Sequence, residues 1–361
     1  MIVKGHPAHP GTGELVGQCI SAAAKETGMP AGVFSFLHAG GGGAREQAVG
    51  RELILNHAIR AVGFTGSHNG GTALANMCAT RLHKGRPDPV PVFAEMGSVN
   101  PVFIMPDALD SKAAEIAAKL AASFTGSAGQ LCTCPGLVII ARSAASDPFI
   151  AALSELTAKA GPMTMLSHHI REAFHQRVVQ LTQTKGVALA ARSILPRHQQ
   201  PDPNAPGIGS LPDRAAAETV AMLFRTDIDT FLAQHVAQDE CFGPSTVIVE
   251  CESAERFLDA ARTLQGSLTA SIFLTGSNGI STKDAELARP LLRECSRFAG
   301  RVIVDGVPTG LEVSPAMVHG GPYPASNQPH STAVGARAVE RWCRPICYQN
   351  VPASMLPLGL Q

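Results

Sequence analysis

Gly126-Ser127-Ala128-Gly129-Gln130-Leu131-Cys132-Thr133 sets a cysteine behind two glycines, a glutamine and small hydroxyl residues. The stretch joins a helix-patterned run, Ser111 to Phe124, to an apolar strand-patterned run, Leu137 to Ala141. A tight turn at such a junction can hold a thiol with backbone N–H groups aimed at it. A free thiol with a pKa of about 8.5 is only a few per cent thiolate at neutral pH, so a nucleophilic cysteine needs dipoles or a base nearby. A buried cysteine can also simply fill a gap. Two flanking glycines and Gln130 favour the nucleophile.

Working outward, strand and helix signals alternate on both sides of this turn. Before it come strands at Ile2 to Lys4, Val33 to Leu37, Ala61 to Phe64 and Val90 to Glu95. Between them lie helices at Glu14 to Thr27, from near Ala44, and from Thr65-Gly66-Ser67 to about His83. After it come a helix near Asp147 to Lys159 and strands at Thr219 to Phe224, Thr246 to Glu250, Ser271 to Leu274 and Val302 to Val304. Helices near Ala254 to Leu264 and Lys283 to Arg297 separate these last strands. Strands alternating with helices predict βαβ units and a parallel sheet, hence an α/β fold. Leu195 to Pro212 reads as a long surface loop, Pro322 to Ser331 as irregular, and Arg344 to Asn350 as a terminal strand without a partner in the chain.

The 361 residues carry 29 basic and 29 acidic side chains, so no charge field draws nucleic acid or an anionic membrane. No run of 18 apolar residues occurs, and the first residues lack the apolar core of a signal peptide. Nine cysteines without CxxC spacing fit reduced thiols rather than a disulfide framework or a zinc site. A cytoplasmic protein without a metal is expected.

Four further segments carry chemistry. Phe64-Thr65-Gly66-Ser67 opens a helix whose N-terminal N–H groups can receive a phosphate, though a plain helix cap reads the same way. Gly40 to Gly43 lacks the GxGxxG pattern and reads as a flexible turn. Glu95 ends a strand where ligands of α/β sheets bind; alone it is either a solvated acid or a general base. Glu240, in Glu240-Cys241-Phe242-Gly243-Pro244, has the same two readings.

The order Lys4, Phe64-Thr65-Gly66-Ser67, Glu95-Met96-Gly97, Gly129-Gln130-Leu131-Cys132, Glu240-Cys241-Phe242-Gly243-Pro244 resembles the NAD(P)-dependent aldehyde dehydrogenase superfamily across essentially the whole chain. Val3 to Thr12, Thr125 to Gln130 and Val307-Pro308-Thr309-Gly310-Leu311-Glu312-Val313 resemble the 2,5-dioxovalerate (α-ketoglutarate semialdehyde) dehydrogenases within it. The resemblance implies an incomplete Rossmann-type cofactor domain over residues 1–96, an α/β catalytic domain over 97–320, and a linker with an oligomerisation strand over 321–361.

It further implies that Cys132 attacks an aldehyde, that hydride passes to a nicotinamide, and that the thioester left on sulfur is hydrolysed. Glu95 matches the general base, Lys4, Gly66 and Ser67 the contacts to adenosine ribose and phosphates, and Glu240 with Phe242 those to the nicotinamide ribose. Pro7 stands where many NAD-preferring relatives have an acid, which favours NADP with NAD as the alternative. Family members carry a preceding stretch on the order of 100 residues, the size of a small domain. That stretch holds an oxyanion-hole asparagine and a hairpin strand that pairs with the terminal strand between subunits. The expectation is therefore a truncated member with impaired homo-oligomerisation, either weakly active or a remnant that binds nucleotide or a partner subunit. Arg142, Arg301 and Arg344 all stay open as partners for a substrate's distal carboxylate.

Overall fold

The computed structural model describes residues 1–40, 43–194, 217–276 and 278–360. The loop expected at Leu195 to Pro212, and Gly41 and Gly42 of the glycine run, lie outside the described residues.

The first part of the chain runs β1 (Ile2–Lys4), α1 (Pro10–Glu26), β2 (Ser35–Leu37), α2 (Gly43–Leu55), β3 (Val62–Thr65), α3 (His68–Ala79), β4 (Leu82–His83), β5 (Arg86–Pro87) and β6 (Val92–Glu95). Ser67 caps α3 through its side-chain oxygen, which accepts from the Gly70 N–H. The expected helix to His83 stops at Ala79, because β4 and β5 fold into a hairpin around Lys84 and Gly85, both at positive φ. The strands here form two parallel pairs, β1–β2 and β3–β6, rather than one sheet. A small core of Ile54, Cys78, Val92, Ala94 and Met96 backs the second pair.

The rest of the chain continues as β7 (Pro101–Ile104), α4 (Pro106–Thr125), β8 (Leu137–Ala141), α5 (Ser146–Lys159), β9 (Pro162–Thr164), α6 (His168–Gln183), β10 (Ala188–Arg192), β11 (Glu218–Val220), β12 (Met222–Asp227), α7 (Ile228–Ala233), β13 (Ser245–Cys251), α8 (Phe257–Thr263), β14 (Ser267–Phe273), α9 (Thr282–Phe298) and β15 (Ala299–Val304). Seven of these strands make one sheet in the order β10-β12-β13-β8-β7-β14-β15. It is parallel except for β10, an antiparallel edge strand on β12. Leu137, Ile139 and Ala141 enter one core cluster while Val138 and Ile140 enter the other, so β8 is covered on both faces. Its unbroken apolar run is what a doubly covered parallel strand requires.

Three expectations change. The single strand over Thr219 to Phe224 is two: β11 pairs with β9, and β12 joins the main sheet. The stretch Pro322 to Ser331 is partly ordered along β6, where Ser326 bridges Glu95 in antiparallel sense. Asn327 binds both faces of the same backbone, accepting from the Ala94 N–H at 2.8 Å and donating to the Val92 carbonyl at 3.1 Å. Arg344 to Asn350 forms no strand in the isolated chain, because a strand exists only with a neighbour to share its hydrogen bonds. Among the described residues, no helix is long and apolar enough to cross a membrane.

Candidate active site

Cys132 sits where α4 gives way to a one-turn 3₁₀ segment, Gly126–Gly129, just ahead of β8. Ser127, Ala128 and Gly129 have φ of 52°, 55° and 66°, three successive left-handed residues. Two of them carry a Cβ, so the turn stores strain that its surroundings must hold. A Cβ on Gly129 would lie 2.2 Å from the Gly243 carbonyl carbon and 2.4 Å from the Pro244 nitrogen. The Glu240–Pro244 loop is therefore pressed directly onto the cysteine turn. Buried Asn100 ties the other side: its Nδ2 donates to the Cys132 and Cys134 carbonyls at 2.9 and 3.0 Å. Its Oδ1 accepts from the Ser98 and Thr269 hydroxyls at 2.7 and 2.9 Å.

The half-buried Cys132 thiol is pushed up, first by burial. The N–H groups of Cys132 and Thr133 pull the other way, and the nearby Glu95 and Glu240 charges add to the rise. At rest the group is a neutral thiol. His319 places Nε2 3.3 Å from the Cys132 sulfur. Burial, then Arg301 and Arg341, hold its pKa below the usual histidine range, so the ring is neutral as well.

Glu95 ends β6, is buried, and forms an ion pair through Oε1 with Arg341, whose side chain is also buried. The Ser326 hydroxyl reaches the same oxygen at 3.5 Å, while buried Oε2 has no hydrogen-bond partner. Burial raises the Glu95 carboxyl above its ordinary range, against the opposing pull of Arg341. Arg301, on β15, donates to the Pro308 and Gly310 carbonyls at 2.8 and 3.1 Å and lies within electrostatic reach of the Cys132 sulfur. Arg142 faces Glu250 instead, and Arg344 is exposed.

Glu240 lines a cavity of about 330 Å³ together with His68, Gly97, Gln265 and Tyr323. A Cβ on Gly97 would stand 2.1 Å from Glu240 Oε2, so glycine is what lets the carboxylate lie against the loop after β6. Burial lifts its pKa to about 7, with the Ser98 N–H opposing. His68, the first residue of α3, sets that helix's N-terminus on the same cavity wall, beside exposed Gly66 and Ser67. Lys4 donates to Glu46 Oε1 of α2 at 2.7 Å. Phe242 is 37% exposed.

The geometry thus places Glu95 and Glu240 each within electrostatic range of Cys132. Lys4, Gly66 and Ser67 stand on the β1–β3 side, and Lys4 is engaged by Glu46 rather than by the cysteine turn. Contrary to a site built wholly at strand carboxyl ends, the junction is mixed. Glu95 closes β6, whereas Asn100, Cys132 and Glu240 precede β7, β8 and β13, and Arg301 lies within the first half of β15. Sequence reasoning missed His319, Arg341 and Asn100. A histidine ahead of Gly320-Gly321-Pro322 was the one local signal for His319.

A profile of the aldehyde dehydrogenase family matches residues 1–184. The chain is 40% identical over its whole length to alpha-ketoglutaric semialdehyde dehydrogenase 2 of Azospirillum brasilense, of which it covers 62%. It is 37% identical over 358 residues to the alpha-ketoglutaric semialdehyde dehydrogenase of Acinetobacter baylyi, covering 99% of this chain and 61% of that protein. Among solved structures, an NAD-dependent aldehyde dehydrogenase from Sinorhizobium meliloti superposes with a TM-score of 0.69 at 21% identity, over 94% of this chain and 59% of that one. Glyceraldehyde-3-phosphate dehydrogenase GapN from Methanocaldococcus jannaschii, complexed with NADP, gives 0.65 at 19% identity, over 90% and 61%. The structural likenesses establish the fold. The chain belongs to the aldehyde dehydrogenase family, and it spans about 62% of the length of the first of these relatives.

Proposed function

We propose that the protein oxidises a carboxyl-bearing semialdehyde, 2,5-dioxopentanoate, to the acid, 2-oxoglutarate, using a nicotinamide dinucleotide. The observation that carries this reading is the Cys132 turn, with two backbone N–H groups on the sulfur and Glu95, Glu240 and His319 around it. The two relatives that match nearly the whole chain bear the corresponding name.

In this reading the Cys132 thiolate forms a C–S bond to the aldehyde carbon, and the carbonyl π pair moves onto oxygen. The N–H of Cys132 faces that oxygen, in a site where each such donor is worth about 10²–10³ in turnover. A nicotinamide dinucleotide, when bound, accepts the hydride given up by the thiohemiacetal carbon. Water then attacks the thioester, Glu95 takes its proton on the unpartnered Oε2, and C–S cleavage returns the sulfur. Glu240 supports the same assignment: a carboxylate laid on Gly97 and facing the cavity suits the hydroxyls of the nicotinamide ribose. The N-terminus of α3, with Gly66 and Ser67, suits the phosphates, and Lys4 and Phe242 are assigned to the two riboses by the resemblance. Pro7 pointed to NADP, but Glu46 brings a carboxylate to Lys4 from another element, and that favours NAD.

Arg301 is the proposed partner of the distal carboxylate. Its half-buried guanidinium stands near the sulfur and braces the 308–310 loop, the segment that resembles the 2,5-dioxovalerate dehydrogenases. The test is cofactor reduction by the 361-residue chain with NAD and NADP over a panel of aldehydes. The highest kcat/KM is expected on 2,5-dioxopentanoate. Arg301→Leu should raise KM for that substrate about tenfold or more while leaving propanal little changed. Equal losses on both aldehydes would remove Arg301 from the role, and no reduction with any aldehyde would remove the activity itself.

A further inference from the structure

We propose that His319 is the base that takes the proton of Cys132, and that Glu95 is kept for the later attack of water. The inference deepens the reading above and rests on Cys132 being the nucleophile. Its foundation is the 3.3 Å contact between His319 Nε2 and Cys132 Sγ, formed by two side chains 187 residues apart in sequence.

The imidazole is held there by its backbone. The His319 N–H donates to Thr332 Oγ1 at 2.9 Å, and its carbonyl accepts from the Ala333 N–H at 2.7 Å. On the other side the loop is closed by glycines: a Cβ on Gly300 would lie 1.9 Å from the Gly320 carbonyl oxygen. This wedges His319 between the start of β15 and the 331–334 segment. Glu95 is the alternative base, but its Oε1 is engaged by Arg341 and Ser326 and its Oε2 meets no hydrogen-bond partner, the Cys132 sulfur included, whereas His319 touches that sulfur. Arg341 is fixed in turn by a bond from its Nε to the Ser331 hydroxyl at 3.1 Å.

The charged groups that face the pair all bear on the transfer. Burial first, then Arg301 from β15 and Arg341 from the C-terminal turn, keeps the ring neutral, with a lone pair to offer. Glu95 and Glu240 oppose a lone thiolate. Moving one proton from sulfur to nitrogen creates an imidazolium beside a thiolate, and each charge offsets what burial costs the other. In the step, the S–H bond breaks and the N–H bond forms on Nε2. The freed sulfur pair forms the C–S bond, the carbonyl pair goes to oxygen, and the proton stays on Nε2 facing that oxygen.

The test is the pH dependence of Cys132 alkylation by iodoacetamide, located by peptide mass spectrometry on the cofactor-free chain. His319→Gln should slow labelling at pH 7 about tenfold and shift the profile to higher pH, with full rates recovered in alkali. Glu95→Gln should label at least as fast as the parent chain, because it removes a negative charge near the sulfur. His319→Gly with added imidazole supplies a second route, and imidazole should restore labelling. A parent-like profile for His319→Gln at every pH overturns the proposal, as does loss of labelling in Glu95→Gln. Should Glu95→Gln not fold, the two His319 variants decide alone. A chain whose labelling depends on His319 but which oxidises no aldehyde keeps this inference and loses the proposed function. Aldehyde oxidation unaffected by His319→Gln does the reverse.

Discussion

Glu240 carries a pH signature that belongs to one side chain. Its pKa of about 7 lies above the ordinary carboxyl value of 4.5, because burial disfavours the ion. Between those pH values the folded chain holds a proton that the unfolded chain has released, so the folded state binds more protons and stability falls as pH rises. The loss begins near pH 4.5, levels off above pH 7, and amounts to about 3 kcal/mol. Urea melts at pH 5 and pH 8 are expected to show that decline in the parent chain and a much flatter response in Glu240→Gln. On the proposed role of Glu240 at the nicotinamide ribose, cofactor affinity should rise through the same interval, and titration of NAD binding by fluorescence from pH 5 to pH 8 checks it. Which residues were legible at this scale follows from where their partners lie. Cys132, Glu95 and Glu240 could be read because each sits in a short motif with its own glycines. His319 and Arg341 act through contacts that span 187 and 246 residues, and Asn100 reaches 32 residues along the chain to the Cys132 carbonyl. No local pattern encodes such pairs.

Elements with unbroken apolar runs were readable, whereas some begun by proline were read late or not at all, as α1 and α4 show. Leu137–Ala141 appears as expected, since its residues feed both cores. Central strand β7 went unread because Pro101 follows Asn100 and suggests a turn, yet proline is tolerated as the first residue of a strand. The helix expected from Ser111 is the half of α4 beyond a kink at Lys112, where φ is −131°. The turn between α4 and β8 gives the sharpest element-scale prediction. Gly129 combines φ of 66° with a backbone wall at 2.2 Å, so Gly129→Ala must move the Gly243–Pro244 backbone or lose the left-handed turn. A cost of about 2–3 kcal/mol is expected, combining overpacking with strain. The midpoint of thermal unfolding measures the stability loss, and iodoacetamide labelling reports whether Cys132 is displaced. Gly126→Ala serves as the contrast, because its added Cβ meets nothing within 4 Å and its φ is negative, so a near-neutral effect is expected there.

At the scale of the molecule, the C-terminal segment closes over the site while apolar residues stay uncovered on two faces. Trp342 packs edge-on against Phe93 with ring centroids 5.4 Å apart, Arg341 pairs with Glu95, and Asn327 runs along β6. The tail thus buttresses the strand that presents Glu95, an arrangement its irregular sequence did not announce. Beyond Trp342 the chain leaves Ile346, Tyr348, Met355, Leu358 and Leu360 exposed. On the opposite part of the chain, α1 exposes Leu15 and Val16 at 62% and 52% and buries Gly17 alone. Exposed apolar side chains in these numbers are relieved by association where they meet in one patch. A second copy of the chain is the occupant always at hand, and a formal net charge of zero offers no long-range repulsion against it. Under reducing conditions, which exclude cross-linking through exposed Cys19, Cys343 and Cys347, light scattering is expected to give a mass above 37.6 kDa that rises with concentration. A Leu15→Glu, Val16→Glu double variant should lower that mass if α1 is the contact, and deletion of residues 353–361 should lower it if the tail is. A monodisperse monomer at every concentration would show that these residues stay solvated and would remove self-association from the account.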